Sequence, residues 1–283
     1  MENVGIQLVA YGNAEKHFFG EECDKLDARN IIKLANCNGK KIEQEVDYAG
    51  EMIANFIFEV EFEGGMGEKE FYGNVESFKL RIGEQKIWEI SGEYFWRNCC
   101  IKRQKIVGER KKWFLVVKMK EMILGDGIKS NLNLIGLKDY AIIVSLQLRT
   151  NAEINFYVDY LFYGNNVRRK LIENDYNFQM IIPKIIKEEI KDGKIILPNV
   201  SNLFANSFWI QLPKSFADIT INGEQVIQDH YGEGLYWVEW KDGYADGVMD
   251  IPLEGVVTIF FDEIRDAGIT YGFFDLKEVL LKI

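Results

Sequence analysis

Apolar and polar residues alternate over much of this chain. Phe56, Phe58, Val60 and Phe62 fall on one side of a two-residue repeat, and Ile57, Glu59, Glu61 and Glu63 on the other. Such a pattern predicts a half-buried strand, here with the phenylalanine row in a core and Glu59 and Glu61 in water. Residues 39–46 lead into this stretch, and residues 154–164 (Ile-Asn-Phe-Tyr-Val-Asp-Tyr-Leu-Phe-Tyr-Gly) are equally strand-like. Their order and spacing suggest the opening and closing strands of one β-sandwich. Further strands are expected at 4–11, 71–82, 86–90, 113–119 and 141–148. Between them lie turn signals at Gly64-Gly65-Met66-Gly67, Gly83-Glu84 and Gly125-Asp126-Gly127. A brief helix is expected over 24–35, capped by Asp24, with Leu26, Ile31, Leu34 and Ala35 as its apolar positions.

A domain boundary is expected near Gly164, dividing the chain into 1–164 and 165–283. All four prolines (Pro183, Pro198, Pro213 and Pro252) lie beyond it. After the boundary the pattern predicts short helices at 167–173 and 185–191, and strands at 207–212, 217–221, 235–240 and 256–261. Asn222-Gly223 between two strand-like runs is the strongest hairpin signal in the chain. Phe273, Leu276, Leu280 and Ile283 share one face of a helix expected over 274–283.

Residues 4–164 resemble the jelly-roll carbohydrate-binding modules of the galactose-binding-like superfamily. The resemblance rests on Gly39 through Val46 followed by Tyr48-Ala49-Gly50-Glu51 and the long strand at 54–62. It rests also on Lys112-Trp113-Phe114-Leu115-Val116-Val117 and on the closing Phe156-Tyr157-Val158-Asp159-Tyr160-Leu161. It implies a jelly-roll β-sandwich over these residues; with the strands and short helices that the pattern predicts beyond Gly164, the chain is expected to be all-β, a jelly-roll β-sandwich followed by a smaller β-rich domain with short helices. In such modules the aspartate matching Asp159 helps hold a structural calcium, here with Glu21 and Glu22 as substitute ligands. The other reading of Asp159 is a hydrogen-bonded strand carboxylate. The resemblance also implies sugar stacking on exposed aromatic faces, with Tyr72, Trp88, Tyr94 and Trp96 as candidates. Core packing is the competing reading for each.

Other signals narrow the function classes. Of the two histidines, His17 sits beside Phe18-Phe19 and His230 lies in Asp229-His230-Tyr231. There is no Gly-x-Ser-x-Gly elbow, no His-Glu-x-x-His and no Cys-x-x-Cys, so no catalytic residue is assigned. Gly65-x-Gly67 lacks the third glycine and the following helix of a phosphate loop; it reads as a hairpin turn leading into a strand at 68–72. The four cysteines (Cys23, Cys37, Cys99 and Cys100) match no metal spacing and are expected to be free thiols made in a reducing cytosol. No basic start with an apolar run opens the sequence, so no secretory leader is expected, and no apolar run is long enough to span a bilayer.

The formal charge is −10, yet residues 97–120 hold nine basic residues against the single acid Glu109, a local +8 that leaves −18 elsewhere. The acidic remainder argues against nucleic acid as a partner. The basic residues Lys102, Arg103, Lys105, Arg110, Lys111 and Lys112, with Leu280 and Ile283 of the last helix, become candidate contacts between subunits. A solvated face is the alternative. The first expectation is therefore a non-enzymatic structural subunit of a phage tail, baseplate or tail-like particle. It would be made in the cytoplasm and would assemble with copies of itself and other subunits, with no membrane partner. A lectin-like carbohydrate-binding module, with a glycan as ligand, is the alternative. A glycoside-active enzyme is the second alternative.

Overall fold

The computed structural model describes residues 26–101, 108–109, 111–123, 130–163, 178–197, 207–212, 219–221, 224–225, 227–230, 235–239, 257–261 and 267–279. The protein is all-β with short helices, and its sheets curl. Expectations for residues 4–11 and 167–173, and for His17, Cys23, Glu21, Glu22, Lys102, Arg103, Lys105, Arg110, Leu280 and Ile283, lie outside the described residues.

The chain divides into two compact units, each built from separated stretches. One comprises Met1–Glu93, Lys105–Met180 and Glu278–Ile283; the other comprises Tyr94–Gln104 and Ile181–Lys277.

The first unit is organised by two long strands. β1 (Leu26–Glu45) runs antiparallel to β8 (Ile142–Tyr163) from Leu26↔Tyr163 to Glu45↔Ile143. On its other edge β8 serves two neighbours in turn. Its first half pairs with β3 (Val75–Ile82) and its second half with β2 (Met52–Glu61). Beyond β3 lies β4 (Gln85–Ile90). Beyond β2 lie β6 (Lys112–Lys118) and the two-residue β5 (Gly108–Glu109). A short β7 (Leu132–Asn133) also joins β2.

β8 is thus a strand that passes a corner. Buried Asn74 holds the backbone there, its Oδ1 accepting from the N–H groups of Arg149 at 2.9 Å and Thr150 at 3.0 Å. Phe58 of β2 stacks on Phe156, directly opposite it on β8, at 4.8 Å between ring centroids, and its ring lies 6.0 Å from Phe78 of β3. Phe56, Phe58, Val60 and Phe62 are all buried, as the alternation required.

Several expected elements take other forms. Residues 26–35 belong to β1, not to a helix, because β8 pairs with them from Leu26↔Tyr163 to Ala35↔Phe156, with register shifts near each end. Residues 142–148 and 154–163 belong to one continuous strand, and β1 pairs with it on both sides of the corner, at Gly39↔Ala152 and again from Lys41↔Gln147 after a register shift. Residues 68–74 form α1 (Glu68–Asn74), not a strand. Its first turn is closed by the Glu70 carboxylate accepting from Gly67 N–H at 2.8 Å. The Gly65-x-Gly67 turn therefore opens a helix and not a hairpin. Gly83-Glu84 does turn β3 into β4, with Gly83 at φ 57°. α2 (Gly92–Ile101) follows β4, and α3 (Leu134–Leu137) follows β7 with Asn133 as its cap.

The second unit contains two sheets. One has the order β10–β16–β12–β13, from Lys194–Leu197, Val257–Phe261, Ile219–Ile221 and Glu224–Gln225. The other has the order β14–β15–β11–β17–β9, from Ile227–His230, Leu235–Glu239, Ser207–Gln211, Ala267–Val279 and Phe178–Ile190. Ile221↔Glu224 pairing across Asn222-Gly223 bears out that hairpin signal. The helix expected at 185–191 is the end of β9. Pro183 within it is tolerated because β9 is an edge strand. The helix expected over 274–283 is strand β17 through Val279, whose earlier residues Thr270–Gly272 pair with β11.

Candidate functional site

The chemistry-bearing side chains of the first unit converge on two places. The first lies on the side of β2 away from the phenylalanine row, where Asn55, Ile57 and Glu59 are also buried. Strand register sets it: Asn55 lies opposite Asp159, Ile57 opposite Tyr157 and Glu59 opposite Asn155. Asp159 is fully buried and receives a two-pronged pair from Arg29, Nε to Oδ1 at 2.7 Å and Nη2 to Oδ2 at 2.6 Å. Asn55 Nδ2 donates to the same carboxylate. Four residues along β2 from Asn55, Glu59 is 3 % exposed. It accepts from the Tyr157 hydroxyl at 3.2 Å and pairs with the Lys112 ammonium at 2.8 Å. Lys112 also reaches Glu61 at 3.5 Å. A polar ladder thus crosses β1, β8, β2 and β6, each charge met by one of opposite sign.

Three expectations are corrected by this ladder. Glu59 is not wet, because Lys112 and Tyr157 replace the water its oxygens would otherwise hold; Glu61 remains half-exposed. The Asp159 carboxylate is occupied by a guanidinium and an amide, the hydrogen-bonded reading of that residue, and a cation in the calcium position would meet Arg29. No cluster of three or more metal-binding side chains is present among the described residues. Lys112 is engaged within its own chain, and Glu59 raises the pKa of its ammonium through a hydrogen bond. Of the described basic candidates for a subunit contact, Lys111 is the exposed one.

Burial next to carboxylates also shifts the tyrosines. Burial, then Glu59, pushes Tyr157 up to about 12, and burial, then Glu45 and Asp139, pushes Tyr48 up to about 12. Tyr160, whose hydroxyl donates to Asp47 O at 2.6 Å, moves in the same direction by burial. A phenol whose pKa is higher folded than unfolded adds stability that is complete below its ordinary value near 10 and is lost as pH rises through the folded value. We expect unfolding free energy to fall steeply between pH 10 and 12. In a spectrophotometric titration these phenols should ionise after the rest, and Tyr157→Phe should blunt the loss. A flat stability profile across that window would contradict these assignments.

The second place is a concave face of about 890 Å³ over β4, β3, β8 and the end of β1. Buried Ser77 and Ser145 lie on its floor. Its rim carries Lys41–Glu43–Arg81 and Lys79–Glu89–Lys86 ion pairs, all largely exposed. The paired lysines hold the Glu89 carboxyl down at about 2. No aromatic ring lines this face.

The four aromatic candidates for sugar stacking do not form a platform. Trp88 is 1 % exposed, Tyr72 4 % and Tyr94 4 %, all within cores, and Trp96 is half-buried. Their rings serve packing: Trp88 lies 6.4 Å from Phe78, and Tyr72 edge-on to Phe71 at 5.0 Å. His230 lies in β14 and Cys37 is a half-buried free thiol. Among the described residues no helix is long and apolar enough to cross a membrane.

No protein-family model matches the chain, and no curated protein matches it in sequence. Solved structures do. PBCV-1 VP54, as fitted into a reconstruction of the virophage Sputnik, matches over 89 % of this chain and 94 % of its own, with TM-score 0.61 and 11 % identity. The fold is that of jelly-roll viral capsid proteins. The major capsid protein of STIV matches over 89 % of this chain and 97 % of its own, with TM-score 0.57 and 10 % identity. The major capsid protein P2 of bacteriophage PM2 covers 89 % and 98 %, with TM-score 0.57 and 9 % identity. The jelly roll inferred from the sequence is thus correct, and its likeness is to viral structural proteins, not specifically to carbohydrate-binding modules. The match covers 89 % of this chain and so extends beyond residues 4–164.

Proposed function

We propose that this chain is a non-enzymatic structural subunit of a virus particle, a shell protein that assembles with copies of itself. One observation carries the reading: the fold likeness to major capsid proteins, which spans 89 % of this chain and at least 94 % of three of them. The likeness to shell proteins moves the reading from tail or baseplate to shell. The polar ladder supports it from another side. Its charges are neutralised inside the sheet, which suits a scaffold more than a reacting centre. A glycan-binding role loses its aromatic platform with Tyr72, Trp88 and Tyr94 in the core.

Purified chain, concentrated over a salt series, is expected to form closed oligomers or shells visible by sedimentation and electron microscopy. Lys111→Glu should alter the salt dependence of assembly more than its end point, since exposed charges steer association more than they add affinity. A chain that stays monomeric under every condition, and hydrolyses a glycan in a broad panel, would overturn the reading.

A further inference from the structure

In the second unit, Ile196 is 51 % exposed and Phe260 38 % exposed, two of the three exposed large hydrophobic residues among those described. Register puts them together. Lys194 lies opposite Phe260 and Ile196 opposite Thr258, so Ile196 and Phe260 are diagonal neighbours on one face of the β10–β16 pair. Thr220 of β12 flanks Phe260 on the same face. The opposite face is closed, with Ile195 at 2 %, Ile259 at 0 % and Ile219 at 2 % exposure. The sheet has therefore buried its inner row and still presents apolar bulk outward, where water would select polar side chains.

Beside Ile196 runs a shallow groove of about 470 Å³ over the tip joining β9 to β10. Lys191 and Lys194 exchange backbone hydrogen bonds at 3.1 Å, with Asp192 at φ 53° and Gly193 at φ 73° between them. Both central residues at positive φ make this a tight two-residue turn. The groove presents Lys187, Lys191 and Lys194 against Glu188, Glu189 and Asp192, three charges of each sign.

We propose that this face is a contact between copies of this chain, with Phe260 and Ile196 as its dry centre and the turn's alternating charges as its rim. The inference rests on the shell-subunit reading and names the surface it uses. Charge selects the occupant. A chain of net −10 repels its own copies over most of its surface, but this patch is neutral and carries both signs. Such a patch can meet itself or a copy's equivalent with lysine against carboxylate both ways. An aromatic and an aliphatic anchor ringed by polar groups is the arrangement that concentrates binding energy.

The test is hydroxyl-radical footprinting of the native chain, dissociated and assembled, read at Ile196 and Phe260. Oxidation of both is expected to drop about fivefold or more on assembly, as buried anchors lose solvent. In parallel, Ile196→Ser with Phe260→Ser should keep the thermal midpoint and raise the concentration needed for assembly about tenfold or more. If that variant does not fold, footprinting of the native chain decides alone. Particles in which Ile196 and Phe260 stay fully oxidisable overturn this inference and leave the shell reading standing. A native chain monomeric at every concentration and salt overturns the shell reading and this one with it. Protection gained only on phosphatidylcholine vesicles would assign the face to lipid and overturn the copy contact.

Discussion

Arg29→Ala is expected to lower unfolding free energy by about 3–5 kcal/mol, because it strands the fully buried Asp159 carboxylate with one amide donor. The loss is large because a carboxylate stripped of water must find its compensation inside the protein. Arg29 supplies most of it through two bonds, at 2.7 and 2.6 Å. The pair is not thereby a large net source of stability. Removing both charges together, as Arg29→Met with Asp159→Leu, should be far milder than either single change. Urea denaturation of the three variants reads the difference. Equal losses for the single and the double would show that packing, not charge compensation, dominates at this site. The same logic applies more weakly to Lys112→Met, since Lys112 is partly solvated and Glu59 retains Tyr157.

Phe58→Ala should cost a similar amount, about 3–5 kcal/mol, by a different route. Its ring is fully buried, stacked on Phe156 and edge-on to Phe78. Truncation empties the point where β2, β3 and β8 meet, and the surrounding rings can refill it only by leaving their rotamers. Phe260→Ala is the matched control. Its side chain is exposed, so it should change unfolding by less than about 0.5 kcal/mol while weakening assembly. If Phe58→Ala cost under about 1 kcal/mol, this cluster would not be what packs β2 and β3 against β8.

These two sites differ in how far they could be read in advance. The phenylalanine row was legible because a period of two needs only local sequence, and Phe56, Phe58, Val60 and Phe62 are buried accordingly. The turns at Gly83-Glu84 and Asn222-Gly223 were legible because backbone sterics select those residues wherever the chain must reverse. Asp192-Gly193 is a turn signal of the same kind, at the end of the 185–191 stretch that reads as a short helix.

The polar ladder was not legible. Arg29 and Asp159 are 130 positions apart, and Lys112 meets Glu59 only because β6 and β2 pair in one particular register. Glu59 reads as a solvent-facing residue in any strand with one wet face; burial of the second face is a tertiary event.

The sequence by itself determined that this chain is all-β, where its core-facing row lies and where several of its hairpins turn, since these follow from periodicity and local sterics. Only the tertiary structure decided that residues 26–35 and 267–279 are strands. Short apolar runs fit either helix or strand, and the partner's hydrogen bonds settle the choice. It alone decided that Asp159 faces a guanidinium, that Trp88 is core, and that Ile196 and Phe260 share an outer face. Each of those facts is a contact between distant segments, and pairing register, which fixes such contacts, is a property of the folded sheet.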